Sequence, residues 1–421
     1  MVHLVSNQGL SDAATGTQTG TVGEPSAAAS RTGIFVTGNW FATRSPDGGA
    51  TWEFVDPFSE FPSDKGEFCC DQLVLWVPGP NVWVWLLQYS ETGGTNIVRI
   101  AVSRDGSSGS WKWWDVSPGD LNAAWKGVWF DFPHLALSNG HLWISLNQYT
   151  PKGAWQRASV IRYPLSVLTS VLTGSVAQVG REQWTTNSHG SLCFVVGATD
   201  TMWWASTDAS SQRLHVFSWP DSSASVESWA VGVSPWNDSD YASFGPGNAP
   251  WLSRADDRAT GGWRLPARPA SSPGGAAPAR VGWAWSSGRR ADRPHPYIRA
   301  VTIAESSLKV LDEPDLWSAT AAWAYPAAAP NGRGRIGLSA FFGGGATHPA
   351  HVVGVLDEAA HSWSTTRTAV STDGPSQGKW GDYVTVQPHP AKPTAWVASG
   401  FTLQGGTDRR NVEPRVVVFR P

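Results

Sequence analysis

The chain reads as all-β: one β-propeller of seven four-stranded units, its ring closed by the N-terminal segment. Three observations predict this. Apolar runs of strand length recur in units of roughly 50–60 residues from one end of the chain to the other. Gly (44) and Pro (30) punctuate those runs, as short strands joined by tight turns require. Trp accounts for 27 of 421 residues while charged residues make up only 15%, a composition that packs broad aromatic side chains between sheets.

The first unit carries the apolar run 33–38 and, after it, the turn Ser45-Pro46-Asp47-Gly48-Gly49-Ala50-Thr51-Trp52. Asp47 can accept hydrogen bonds from the turn's own backbone, Gly48 and Gly49 tolerate positive φ, and Trp52 packs between neighbouring units. The second unit has strands over 71–76, 82–89, 96–103 and 111–116, with a degenerate copy of the turn at Ser103-Arg104-Asp105-Gly106. In the third, 132–137 and 141–149 repeat the preceding hairpin, so that Gln88-Tyr89 and Gln148-Tyr149 fall at equivalent places. A fourth unit runs from 190 to 231. The fifth holds 281–285 and 297–303, and the sixth 321–325, 336–341 and 351–356. The last, with 382–386, 395–400 and 415–419, lacks an outer strand, which the N-terminal segment can supply. Residues 264–280, rich in Pro, Ala and Gly, read as an irregular surface loop of the fifth unit. Residues 1–421 are therefore expected to form a single domain, and to act as a monomer.

Composition also excludes. A net charge of -3 without Lys/Arg runs argues against a nucleic-acid surface, and no stretch is apolar for long enough to span a membrane. No basic and then apolar leader opens the sequence. The low Lys content, the Trp richness and the Ser/Thr/Gly-rich N-terminus point to a secreted protein, with the cytoplasm as the alternative. Cysteine chemistry bears on that choice. Cys69 and Cys70 are adjacent, and form either a vicinal disulfide or two reduced, buried small side chains; Cys193 reads as core.

In a propeller the residues just ahead of each innermost strand, with the turns between second and third strands, surround the axis on one face. Asp71, Asp131 and Asp382 are candidate catalytic carboxylates there, suited to acid and base work on a glycosidic bond. His134 and His189, with Tyr383, are candidates for proton abstraction and elimination instead. Trp40, Cys69, Cys70, Gln88, Tyr89, Gln148, Tyr149, His295 and Trp380 are the candidate ligand contacts: aromatic faces for sugar C–H surfaces, amides for hydroxyls. Each has a plainer reading as a strand cap or as interblade packing. The histidines match no local metal motif, so neither metal nor cofactor is expected.

Read as S-x-D-x-G-x-T-W, the 45–52 turn resembles the Asp-box of the sialidase-like (BNR-repeat) β-propeller superfamily. That resemblance implies the propeller fold and a carbohydrate or other small-molecule ligand. True sialidases have an arginine triad, a Tyr nucleophile with a Glu partner and an R-I-P motif, and this sequence contains no R-I-P. The expectation is thus a glycan-active enzyme, a glycoside hydrolase or polysaccharide lyase that is not a true sialidase, with a single site in the central funnel. Two alternatives stand beside it: a non-catalytic, lectin-like propeller, and a biosynthetic enzyme for a small apolar metabolite.

Overall fold

The computed structural model describes residues 1–175, 179–271, 275–375, 378–405 and 411–421. Seven four-stranded antiparallel sheets follow one another along the chain. Their innermost strands begin blades 1 to 7 in order: Ser26–Ala29, Phe68–Val77, Trp129–Leu137, Cys193–Phe194, Ala259–Leu265, Ala322–Pro330 and Val386–Pro388. Each packs on the next and the last packs on the first, so the sheets form a ring. Blade 7 takes its outermost strand from the other end of the chain. His3–Gly9 pairs antiparallel with Val412–Arg420, from His3 opposite Arg420 to Gly9 opposite Arg415. The missing outer strand of the last unit is supplied as expected.

Burial explains the pattern of apolar residues. Second strands such as Val82–Tyr89 and Arg280–Ser287 are buried along their whole length, because both faces of the sheet meet a neighbouring blade. Outer strands face water, as Ser362–Val370 does for most of its length. Tryptophans fill the wedges between sheets: Trp143, Trp204, Trp219 and Trp283 across blades 3 to 5, and Trp251, Trp380 and Trp396 across blades 6 and 7. Their width demands glycine opposite. A Cβ on Gly337 would lie 2.6 Å from the Trp396 ring.

The Ser45–Trp52 turn joins the third and fourth strands of blade 1, Phe41–Ser45 and Glu53–Val55. Asp47 accepts from the Thr51 amide (2.9 Å) and the Thr51 hydroxyl (2.7 Å), while Ser45 Oγ accepts from the Gly49 amide at 2.7 Å. The Thr51 bonds hold the Asp47 carboxyl down at about 2. Blade 2 repeats the plan, with the Gly106 amide donating to Ser103 Oγ and the Ser107 amide to Asp105.

The loop in blade 5 is shorter than 264–280. Arg264 and Leu265 end the inner strand, Arg280 begins the next, and residues 272–274 lie outside the described residues. That inner strand escapes apolar patterning because Gly261 and Gly262 interrupt it. A Cβ on Gly261 would lie 2.8 Å from the Ala328 amide nitrogen of blade 6.

Candidate active site

At the axis, on the face where the inner strands start, several strands leave their ladders. In blade 2 the register breaks between Phe68 and Gln72, in blade 3 between Asp131 and His134, in blade 5 between Ala259 and Gly261, and in blade 6 between Ala324 and Ala327. Such bulges turn side chains out of the sheet and concentrate beside functional sites. Here they fall at Cys69-Cys70-Asp71, at Asp131 and Phe132, and at Tyr325. Glu24, Phe132, Ser191 and Tyr325 all adopt positive φ, between 39° and 55°. Left-handed backbone at non-glycine residues costs on the order of 1–3 kcal/mol each, and it persists where surrounding structure imposes it.

Four carboxyl groups from blades 1, 2, 3 and 7 come close enough here to feel one another's charge. Glu24 is buried; its Oε1 accepts from the Asp382 amide (2.8 Å) and its Oε2 from Asn39 Nδ2 (2.7 Å). Burial, and then the charge of Asp382, push its pKa from 4.5 up to about 7. Asp71 receives no hydrogen bond from the described residues. Burial raises it well above the ordinary carboxyl value, and Glu24, Asp131 and Asp382 add to the effect. Burial also raises Asp131, opposed by the hydrogen bond that Gln88 Nε2 donates at 3.0 Å.

Asp382 lies in a different environment. Arg258 Nη2 stands 3.2 Å from one carboxylate oxygen and Lys379 Nζ 3.6 Å from the other. Arg258 also pairs with Asp256 at 2.7 Å and lies over the Phe132 ring at 4.3 Å. The Arg258, Asp382 and Lys379 side chains keep 26%, 22% and 30% of their surface, so solvent reaches this side of the cluster. Low-dielectric packing on one side raises the pKa values of Glu24, Asp71 and Asp131, while on the other side Asp382 is paired with two cations. Among the described residues, no group of three or more His, Cys, Asp or Glu is placed to hold a metal ion.

The residues expected from sequence distribute as follows. Asp71, Asp131, Asp382 and Gln88 come together, and Cys69 and Cys70, joined in a disulfide, directly precede Asp71. The Tyr149 phenol accepts from Asn147 and feels the charges of Asp131 and Arg258. Tyr383 lies beneath the cluster, where burial, and then the charges of Asp71 and Glu24, raise its phenol. His134 lies further down the axis against Phe132 and Phe194, where burial lowers its pKa to about 4.

Others point elsewhere. His189 stacks on His215 at 4.0 Å, and the charges that reach it are those of His215 and Asp208. The Tyr89 hydroxyl takes a 2.7 Å bond from Arg99, and Gln148 bonds Ser159 and Arg157. Trp380 is fully buried among Trp251, Phe341 and Phe401. Trp40 packs on the core between blades 1 and 2, and His295 is half-buried on the loop leading to Tyr297–Ala304. Glu24, Arg258, Lys379 and Tyr325 had no strand-start signal to mark them. The charged run Arg254-Ala255-Asp256-Asp257-Arg258, directly ahead of the inner strand of blade 5, is the trace that points to Arg258.

No family model matches the chain, and no curated protein matches it. Solved structures do. The α-L-arabinofuranosidase of Fusarium graminearum, in complex with an iminosugar inhibitor, is 10% identical with a TM-score of 0.45, over 99% of this chain and 98% of that one. The propeller of Dos1 is 9% identical at TM-score 0.45, over 100% and 95%. Trypanosoma rangeli sialidase with the inhibitor DANA is 10% identical at TM-score 0.42, over 76% of this chain and 52% of that one. What the site can do is read from its own residues.

Proposed function

We propose that this protein is a glycan-active enzyme that hydrolyses a glycosidic bond at the axial carboxyl cluster. One observation carries the reading: Asp71, whose carboxyl pKa burial raises, lies close enough to feel the charge of Asp382, which pairs with Arg258 and Lys379 on the solvent-reached side. Glycoside hydrolysis needs that division of labour. Asp71 gives its proton to the leaving-group oxygen as the bond to the anomeric carbon breaks. Asp382 faces the positive charge that develops on that carbon. Water then supplies the hydroxyl, and its remaining proton restores Asp71. Tyr149 and the Cys69–Cys70 pair offer the sugar an aromatic and an apolar surface.

Elimination fits less well. It needs a base for a C–H proton, whereas His134 stands in the apolar channel and burial drives the Tyr325 and Tyr383 phenols away from ionisation. The disulfide supports a secreted setting, and a ring completed within one chain supports a monomer. The test is a panel of aryl glycosides and polysaccharides, scored both for reducing ends and for unsaturated-uronate absorbance. Reducing ends that vanish in Asp71→Asn and Asp382→Asn are expected. Unsaturated products, or full activity in both variants, would overturn the assignment.

A further inference from the structure

The opposite face of the ring holds a second opening. There the inner strands end, and their closing turns enclose about 470 Å³ between Ala28, Leu75, Leu137, Val196 and Pro388. Small residues keep it open: Ala28 and Ala29 end one wall, and Gly197 and Ala198 another. A narrower chamber of about 50 Å³ continues it along the axis, sharing Leu75, Ala136, Val196 and Gln387, and reaching His134 and Tyr383. Among the described residues, no Asp, Glu, Lys or Arg lines either chamber.

We propose that this double chamber is a ligand site for a small, uncharged, mainly apolar molecule that carries one hydrogen-bonding group at its inner end. The larger chamber has the volume of small-molecule pockets, roughly 300–1,000 Å³, and their mostly apolar walls. The inner end has a specific unmet need. His134 lines it, and among the described residues its ring makes no hydrogen bond. Native structures rarely leave a polar group this deep unpaired. A ligand hydroxyl or carbonyl entering from the apolar side would satisfy it. Charged ligands are disfavoured, because no counter-charge lines the walls and His134 stays neutral at pH 7. The site is on the face away from the carboxyl cluster, so it does not depend on the hydrolytic reading.

The experiment is a fluorescence titration of the full chain with N-phenyl-1-naphthylamine, followed by competition with 1-decanol and with decanoate. One saturable site is expected, displaced by the alcohol and not by the carboxylate. Val196→Trp, which fills the junction of the chambers, should weaken dye binding at least about tenfold. His134→Phe should weaken 1-decanol roughly fivefold, the size of one lost hydrogen bond. Asp71→Asn should leave dye binding unchanged while it abolishes hydrolysis. If Val196→Trp does not fold, Ala198→Trp at the rim takes its place. Absence of saturable binding, equal competition by decanoate, or full binding in the tryptophan variant would overturn the proposal. So would loss of dye binding in Asp71→Asn, which would put the dye on the other face.

Discussion

Replacing Glu24 with Gln should make the protein more stable at alkaline pH and leave it nearly unchanged in acid. Burial lifts the carboxyl from its ordinary 4.5 to about 7. The folded chain therefore holds this proton more tightly than the unfolded one. As pH rises past 4.5 the unfolded state releases the proton while the folded state keeps it, and stability falls until the folded group also ionises near 7. Above that the full penalty applies, about 3 kcal/mol from the gap between the two values. Gln is neutral throughout and removes it. The amide can also be accommodated: Asn39 Oδ1 is buried without a partner, so a flipped Asn39 would accept from the new side chain. With an unfolding entropy of about 2.1 cal/mol/K per residue, 3 kcal/mol in this chain corresponds to roughly 3–4 °C in Tm. The assay is thermal melting of both proteins from pH 4 to 9. Glu24→Gln should melt higher at pH 8 to 9, with the gap closing below pH 5. A difference of the same size at every pH, or a less stable variant at pH 8, would refute the account of Glu24 as a buried acid.

Other outcomes follow from the same geometry. Hydrolysis should fall on the alkaline side as Asp71 loses its proton, and Glu24→Gln should move that limb to lower pH, since the Glu24 charge helps raise Asp71; a pH profile of kcat/KM reads both. Denatured without reductant, the protein should expose one alkylatable thiol, that of Cys193, in intact-mass analysis. Cys69→Ser with Cys70→Ser should weaken substrate binding more than it lowers Tm, because a ring between neighbours closes almost no chain. Gly337→Ala should destabilise the fold by about 1–3 kcal/mol in denaturant unfolding, as its methyl meets the Trp396 ring.

Much of the ring was legible because local chemistry repeats. The 45–52 turn and its copy at 103–106 mark the outer hairpins of two blades, and a last unit one strand short pointed to the N-terminus. Asp71, Asp131 and Asp382 were legible because each lies beside a recognisable apolar run. Glu24 was not: it sits in a segment without strand period, and its bonding partner Asp382 is 358 residues away. Arg258 was hidden with its strand, whose glycines serve the backbone of blade 6. The repeated Gln-Tyr pair misled for a third reason. Neighbours on a strand point to opposite faces, so Gln88 turns to Asp131 while Tyr89 turns to Arg99. In blade 3 the register shifts between Gln148 and Tyr149, and the tyrosine is the one near the cluster.

The hydrogen bond from the Asp382 amide to Glu24 joins blade 7 to blade 1, the same two blades that the strand His3–Gly9 knits together. Contacts this distant in sequence form late, since chain entropy must first be overcome. A folding intermediate with six blades in place would therefore have most of its core and no working cluster: one acid would lack its partner and the cations near Asp382 would stand apart. If the axis hydrolyses glycosides as proposed, its chemistry begins only when the circle shuts. On that reading a nascent or partly unravelled chain is inactive, and turnover gauges whether the two ends have met.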